Sequence, residues 1–328
     1  MYTGGVAVDR DGNLIIANQG GQPGTSRILA VAARTGTRYG QAMTAGHTYP
    51  VAGNGAPGFS GDRGPATRAR VNGPEGVALD AAGNLVIADT WNNRIRVVAA
   101  GTGTCYGQAM TAGHIYTVAG GGTHGPGNGG PATSGQLAMP GGVAVDATGN
   151  LVIADTFNDR IRVVAASTGT CYGQAMTAGD IYTVAGGGRH GTGDGGPATG
   201  ARLYRPGSVT VDAAGNLVIA TGTPDWVRVV AARDGKFYQQ AMTAYDSYTV
   251  AGHDTHRVVA ASTGTCYGQA MTAGHIYTVA GNGQFSFSAN DGPAIEAALM
   301  ASGDDAVTAA GSLAITSTDN AHIRMAAG

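Results

Sequence analysis

Lysine is almost missing from this chain: Lys236 is the only one in 328 residues. Glutamate is nearly as scarce, with Glu75 and Glu296 alone, and only 12% of residues are charged, for a net charge of −2. A protein that grips a nucleic-acid backbone needs a basic face, so nucleic acid is excluded as an expected partner. Long apolar runs are absent too. None approaches the ~18 residues of a membrane span, and Met1 leads straight into a strand-like stretch without a charged, apolar, cleavable leader. Either the protein stays in the cytosol or the chain starts after a removed leader. The three cysteines, Cys105, Cys171 and Cys266, share one place in the repeated string TGTCYGQAMTAG. Equivalent places in separate sheets lie beyond the ~7 Å Cα limit of a disulfide, so they are expected to be free, small hydrophobes. No G-x-S-x-G nucleophile turn, H-E-x-x-H or phosphate loop is present.

Glycine and repetition are what the sequence has. Gly accounts for 57 residues without a G-X-Y period, which reads as a turn-rich all-β protein. The segment 140–188, PGGVAVDATGNLVIADTFNDRIRVVAASTGTCYGQAMTAGDIYTVAGGG, holds four short runs rich in Val and Ile: GVAVD, NLVIAD, RIRVVAA and IYTVAG. Runs of four to eight such residues between Gly, Asn, Asp and Thr read as antiparallel strands. The first strands begin at Gly5, Gly76, Gly142 and Ser208, steps of 71, 66 and 66 residues, and a long regular period marks a solenoid or propeller. Strands that are nearly all apolar are buried on both faces, as in propeller blades.

The expected architecture is one β-propeller over residues 1–328 of about six blades, at 4–53, 74–120, 140–186, 206–252, an incomplete fifth blade at 256–281, and 304–328. The fifth copy carries only the third and fourth strands, and the last copy has three strands. Met1-Tyr2-Thr3 echoes the Ile-Tyr-Thr of the fourth strands and is expected to supply a stub of the last blade, closing the ring. Within a blade, D-x-x-G-N is a hairpin turn, the cysteine-bearing connection is a hairpin extension at the opposite end, and G-P-A-T-x-A-x-L opens a helix of one or two turns at its Pro. The residue three before that Pro, Asp62, Asn128, Asp194 or Asn290, is expected to be a turn or cap residue.

The string G-V-A-V-D-x-x-G-N-L-V-I-A-D-T-x-N-x-R-I resembles the NHL repeat over about four-fifths of the chain. The resemblance implies a propeller, commonly six-bladed, of a bacterial protein, and suggests a place outside the cytoplasm. It implies no single function, because the family includes kinase sensor domains, RNA-binding modules and peptide-amidating lyases, with streptogramin lyases as a related group.

Candidate sites lie around the turn between the second and third strands. Asp89 with Arg94 and Asp155 with Arg160 bracket it, and blade four has Thr221 and Trp226 there. Loss of acid and base together is what a mutually satisfied structural pair gives, since an unpaired buried charge is destabilising. Trp91, Phe157 and Trp226, with Asn92, Asn158 and Asp225 beside them, are candidate ligand contacts, joined by His124 and His190 from the glycine-rich passages. The competing reading wedges the aromatics between blades. His47, His114 and His275 share one outer position that cannot converge on an ion, and the cluster at 253–256 has no metal spacing. No metal, cofactor or catalytic residue is therefore assigned. The expected function is a non-catalytic, monomeric binding or scaffold module for a protein, peptide or glycan, bound on the loop face. The alternative is a metal-assisted lyase or lactonase with its site at the axial mouth, and a third is a fragment without independent activity.

Overall fold

The computed structural model describes residues 2–20, 25–123, 125, 127–188, 192–222, 226–238 and 240–252. Beyond these it describes the strands Arg257–Val259, Gly264–Cys266, Gln269–Met271, Ile276–Thr278, Ser302–Val307, Leu313–Ser317 and His322–Ala326. His124, His190, Asp225 and the cluster at 253–256 lie outside the described residues.

The protein is all-β and built of repeated antiparallel sheets. Blade two shows the plan, with Val77–Leu79, Leu85–Asp89, Arg94–Val98 and Ile115–Gly120 lying side by side in that order. Blade one (Tyr2–Val8, Leu14–Gly20, Ser26–Val31, Thr48–Gly55), blade three (Val143–Val145, Leu151–Asp155, Arg160–Val164, Asp180–Gly186) and blade four (Pro206–Val211, Leu217–Thr221, Trp226–Val230, Asp246–Gly252) repeat it. In the last third, Arg257–Val259 pairs with Ile276–Thr278, and a three-stranded sheet runs from Ser302–Val307 through Leu313–Ser317 to His322–Ala326.

The first strands meet one another. Tyr2–Val8 packs beside Val77–Leu79, which packs beside Val143–Val145, which packs beside Pro206–Val211, and Ser302–Val307 packs beside Tyr2–Val8 as well. Sheets that touch along their first strands radiate from a common axis, as propeller blades do. Glycine permits the approach: a Cβ on Gly76 would stand 2.7 Å from the Gly141 carbonyl oxygen, and one on Gly142 would stand 2.8 Å from Ser208 Cα. Tyr2 and Thr3 are paired with Gly20 and Asn18 of blade one. The expected stub of the last blade is thus corrected: these residues prolong the first strand through its bulges.

Between sheets the core is continuous. Val86, Ala88, Ile95 and Val97 of blade two pack with Leu151, Ile153 and Val164 of blade three, so the second and third strands of these two blades are buried on both faces and need no polar alternation. Each glycine-rich passage covers the outer edge of the blade that follows it. Gly130–Pro131 pairs with the outer strand of blade three and Gly196–Pro197 with that of blade four, which removes a free edge. The helix expected after the proline is a single 3-10 turn, Ala66–Arg68 in the first copy, with Pro65 just before it.

The D-x-x-G-N turn is a clasp. Asp80 Oδ1 accepts the backbone N–H of Ala82 and of Asn84 at 2.9 Å, while Oδ2 accepts Asn84 Nδ2 at 2.7 Å and the Tyr106 hydroxyl at 2.9 Å. Asn84 Oδ1 accepts the N–H of Ala100 at 2.7 Å, across the blade. The hairpin Gly103–Cys105 to Gln108–Met110 turns through Tyr106 and Gly107, both at positive φ, and so delivers the tyrosine onto the turn. Burial and the adjacent Asp80 carboxylate push the Tyr106 hydroxyl far above its ordinary pKa. The same clasp recurs at Asp9, Asp146 and Asp212 with Tyr39, Tyr172 and Tyr238. Cys105 and Cys171 are free thiols.

Candidate functional site

At the opposite end of blades two and three, the second and third strands are joined by a 3-10 turn, Thr90–Asn92 in blade two and Thr156–Asn158 in blade three. Each ends on a left-handed residue, Asn93 or Asp159. Beneath the turn lies a fully buried arginine: Arg96, Arg162 and Arg228 have no exposed surface.

These arginines overturn the expected ion pairs. Asp89 is bonded to Arg96 Nη1 at 3.4 Å, and Asp155 faces Arg162 Nη1 at 3.6 Å, all four side chains being buried. Arg94 is the register partner of Asp89, but its Nη1 donates to the Asn92 carbonyl at 2.9 Å and its guanidinium stacks 3.9 Å over the Phe59 ring. In blade three, too, the guanidinium bridged to Asp155 is that of Arg162, and Arg160 acts on the carboxylate only at longer range. Two residues along a strand restore the same side, so both arginines face the acid, and the deeper one reaches it diagonally.

Asp62 and Asp194, expected as caps, are charge partners instead. Asp62 accepts from Arg96 Nη2 at 2.6 Å and Asp194 from Arg228 Nη2 at 2.8 Å. Each of these three arginines thus keeps a carboxylate, but not the same one. Arg96 has Asp62 and Asp89; Arg162 has Asp155, with Asn128 in the place of Asp62; Arg228 has Asp194, with Thr221 in the place of Asp89. Burial pushes the Asp89 and Asp155 carboxyls up and the Arg162 and Arg228 guanidiniums down.

The candidate recognition residues separate into two kinds. Trp91 is 62% exposed and Phe157 51% exposed, so the aromatics are not wedged between blades. Trp91 lies against Gly73, where a Cβ would stand 2.3 Å from its Cδ1. Phe157 lies 4.8 Å under the Arg205 guanidinium. The amides turn inward: Asn92 Nδ2 is 2.9 Å from both Asp89 oxygens and from the Gly58 carbonyl, and Asn158 Nδ2 donates to Asp155 at 2.8 Å. Their donors are therefore occupied by the fold. Trp226 is half-buried on its strand in the register place of Arg94. His114 Nδ1 lies 2.9 Å from the Arg63 carbonyl. Among the described residues no three His, Cys, Asp or Glu side chains gather as a metal set, and no helix is long and apolar enough to cross a membrane.

One residue was passed over in the sequence. Glu75 stands at the axial end of its first strand, where the other full copies have Gly4, Gly141 and Gly207. Its Oε2 lies 3.5 Å from the place a Cβ would take on Gly141 of the next blade, and burial raises its pKa to about 7. The departure from glycine was the available signal.

Residues 71–98 match the NHL repeat. No curated protein matches the chain. Among solved structures, it is similar to an auxiliary nutrient binding protein from Bacteroides thetaiotaomicron (15% identity over 66% of this chain and 44% of that one, TM-score 0.41). It is also similar to a chain of a nidogen/laminin complex (12% identity, 96% and 93%, TM-score 0.45) and to a streptogramin B lyase (11% identity, 100% and 83%, TM-score 0.43). The chain spans less than half the length of the nutrient binding protein.

Proposed function

We propose that this propeller is a binding module that recognises a protein, peptide or glycan on the face formed by the turns at Thr90–Asn92 and Thr156–Asn158. The observation that carries the reading is the exposure of Trp91 and Phe157 at one repeat position, on turns whose other side chains are tied into the fold. A large ring left in water over a rigid base loses little freedom on binding. About six blades, with 256–281 supplying part of the fifth, belong to the same reading. A glycan and peptide array probed with the native protein and with Trp91→Ala and Phe157→Ala tests it. Ligands held by the native protein and lost by both variants are expected; ligands held equally by all three would overturn the assignment of this face.

A second reading, a catalytic axial mouth, is favoured by Glu75, whose carboxyl has the pKa of a general acid or base near neutrality. Turnover of a lactone or lyase substrate that Glu75→Gln abolishes, with array binding intact, would transfer the function to the axis.

A further inference from the structure

The binding face is more specific in composition than a surface with two exposed rings. In blade two the passage before the first strand carries Phe59, Arg63, Arg68 and Arg70, whereas the corresponding passage 125–137 of blade three has no arginine. Phe59 is 43% exposed and lies under Arg94. Gly58 is tied to Asn92, the neighbour of Trp91, and Ser60 is bridged to Arg70. Phe59, Arg70, Trp91 and Arg94 therefore form one station. One blade on, a second station has the same chemistry: Arg205 stacks on Phe157, and Arg202 lies 5.1 Å from the ring of Tyr204, which is 41% exposed.

The acids beneath these stations are occupied. Asp62, Asp89, Asp155 and Asp194 hold the buried arginines, Asp159 accepts the backbone N–H of Arg205, and Glu75 lies against Gly141 at the axis. Among the described residues, no salt bridge engages the guanidiniums of Arg70, Arg94, Arg202 or Arg205. A chain of net charge −2 thus concentrates cations, exposed at Arg70, Arg202 and Arg205 and half-buried at Arg94, beside flat exposed rings on one face.

Resting on the reading above, we propose that this face binds a polyanionic glycan, with sugar rings on Trp91 and Phe157 and carboxylates on Arg70, Arg94, Arg202 and Arg205. Guanidinium forks suit planar carboxylates. Two like stations one blade apart suit a polymer with a repeating unit. An acidic peptide fits less well, because the stations sit on turns and offer no free strand edge for main-chain pairing.

The test uses three polymers of known chemistry: polygalacturonate, its methyl ester with the same backbone uncharged, and poly-L-glutamate. Affinity electrophoresis and titration calorimetry of the intact chain are expected to give binding to polygalacturonate that weakens with salt, and binding to the ester about tenfold weaker or absent. Arg70→Gln with Arg202→Gln is expected to lower polygalacturonate affinity at least about tenfold, with an unchanged melting temperature because both side chains are exposed. Equal binding of acid and ester, tighter binding of poly-L-glutamate, or native affinity in the double variant each overturns the glycan proposal while leaving a face-binding module intact. Failure of all three polymers overturns it as well, and the array then decides the broader reading by itself.

Discussion

Arg228 lies 2.8 Å from Asp194, and this contact stands in for one that its blade has lost, because Thr221 occupies the place that Asp89 and Asp155 hold in the preceding blades. A guanidinium with no exposed surface needs a carboxylate near it. The chain meets that need from whichever of two directions still offers one.

Asp194→Asn should therefore destabilise blade four more than Asp62→Asn destabilises blade two. Removing the carboxylate from a buried charge costs roughly 3–5 kcal/mol, reduced here to about 2–4 because Asp194, the acid on Arg228 among the described residues, is 41% exposed. Asp62→Asn leaves Asp89 in place and should cost about 1 kcal/mol. Urea unfolding of both variants measures the contrast, and Thr221→Asp should restore part of the loss in the Asp194→Asn background. Equal losses at the two sites would contradict the pairing.

Asn128→Asp should stabilise the protein. Arg162 Nε and Nη1 and the Thr183 hydroxyl are buried without hydrogen-bond partners, whereas in blade two Asp62 serves both the matching arginine and Thr117, whose hydroxyl it accepts at 2.6 Å. A carboxylate at position 128 would serve Arg162 Nε and the Thr183 hydroxyl, as Asp62 serves Arg96 Nε and Thr117, a gain of about 1–2 kcal/mol, visible as a higher melting temperature at neutral pH.

Glu75 makes stability fall as pH rises. Its folded pKa of about 7 lies above the unfolded value near 4.5, so the folded state favours the protonated form. Stability on this account is full below about pH 4.5, declines up to about pH 7 and stays low above it. Glu75→Gln should remove that slope, leaving the variant more stable than the native protein by about 3 kcal/mol at pH 8 and equal to it at pH 4. Denaturant titrations at the two pH values check this, and the difference between the two proteins cancels the contributions of the other carboxyls.

Gly142→Ala and Gly169→Ala should behave oppositely. A methyl on Gly142 meets the backbone of Ser208 at 2.8 Å, while one on Gly169 meets nothing within 4 Å. The first should cost about 1–3 kcal/mol through crowding at the axis; the second should be neutral or slightly stabilising. Thermal unfolding separates them.

Strand order, turn positions and the sharing of faces were legible because they follow from local chemistry. Asp80, Gly83 and Asn84 specify their hairpin within five residues, and Val86, Ile87 and Val97 declare burial by their own side chains. The buried ion pair was not legible in the same way. Its members Asp62, Asp89 and Arg96 come from three segments, and Arg94, the residue directly opposite Asp89, is the wrong partner. Across blades two to four the copies of 62 and 89 vary together, Asn128 going with Asp155 and Thr221 with Asp194, but the last copy, with Asn290, Ser317 and Arg324, breaks that pattern. Among the site residues, Trp91 and Phe157 were visible as aromatics on a polar turn. The inward commitment of Asn92 and Asn158 was not, because an amide beside an exposed ring has the same sequence signature whether it faces water or the core.

Blade two, with two carboxylates on Arg96, would still have one if either were lost. Blades three and four have each taken one of those losses, and each is now held to the acid that remains. Blades three and four thus hold alternative states that no single substitution interconverts, since moving from the arrangement of Arg162 to that of Arg228 changes both acidic places. The three blades, alike in backbone, therefore differ in how many single substitutions separate each buried arginine from having no carboxylate beside it: two in blade two, one in blades three and four.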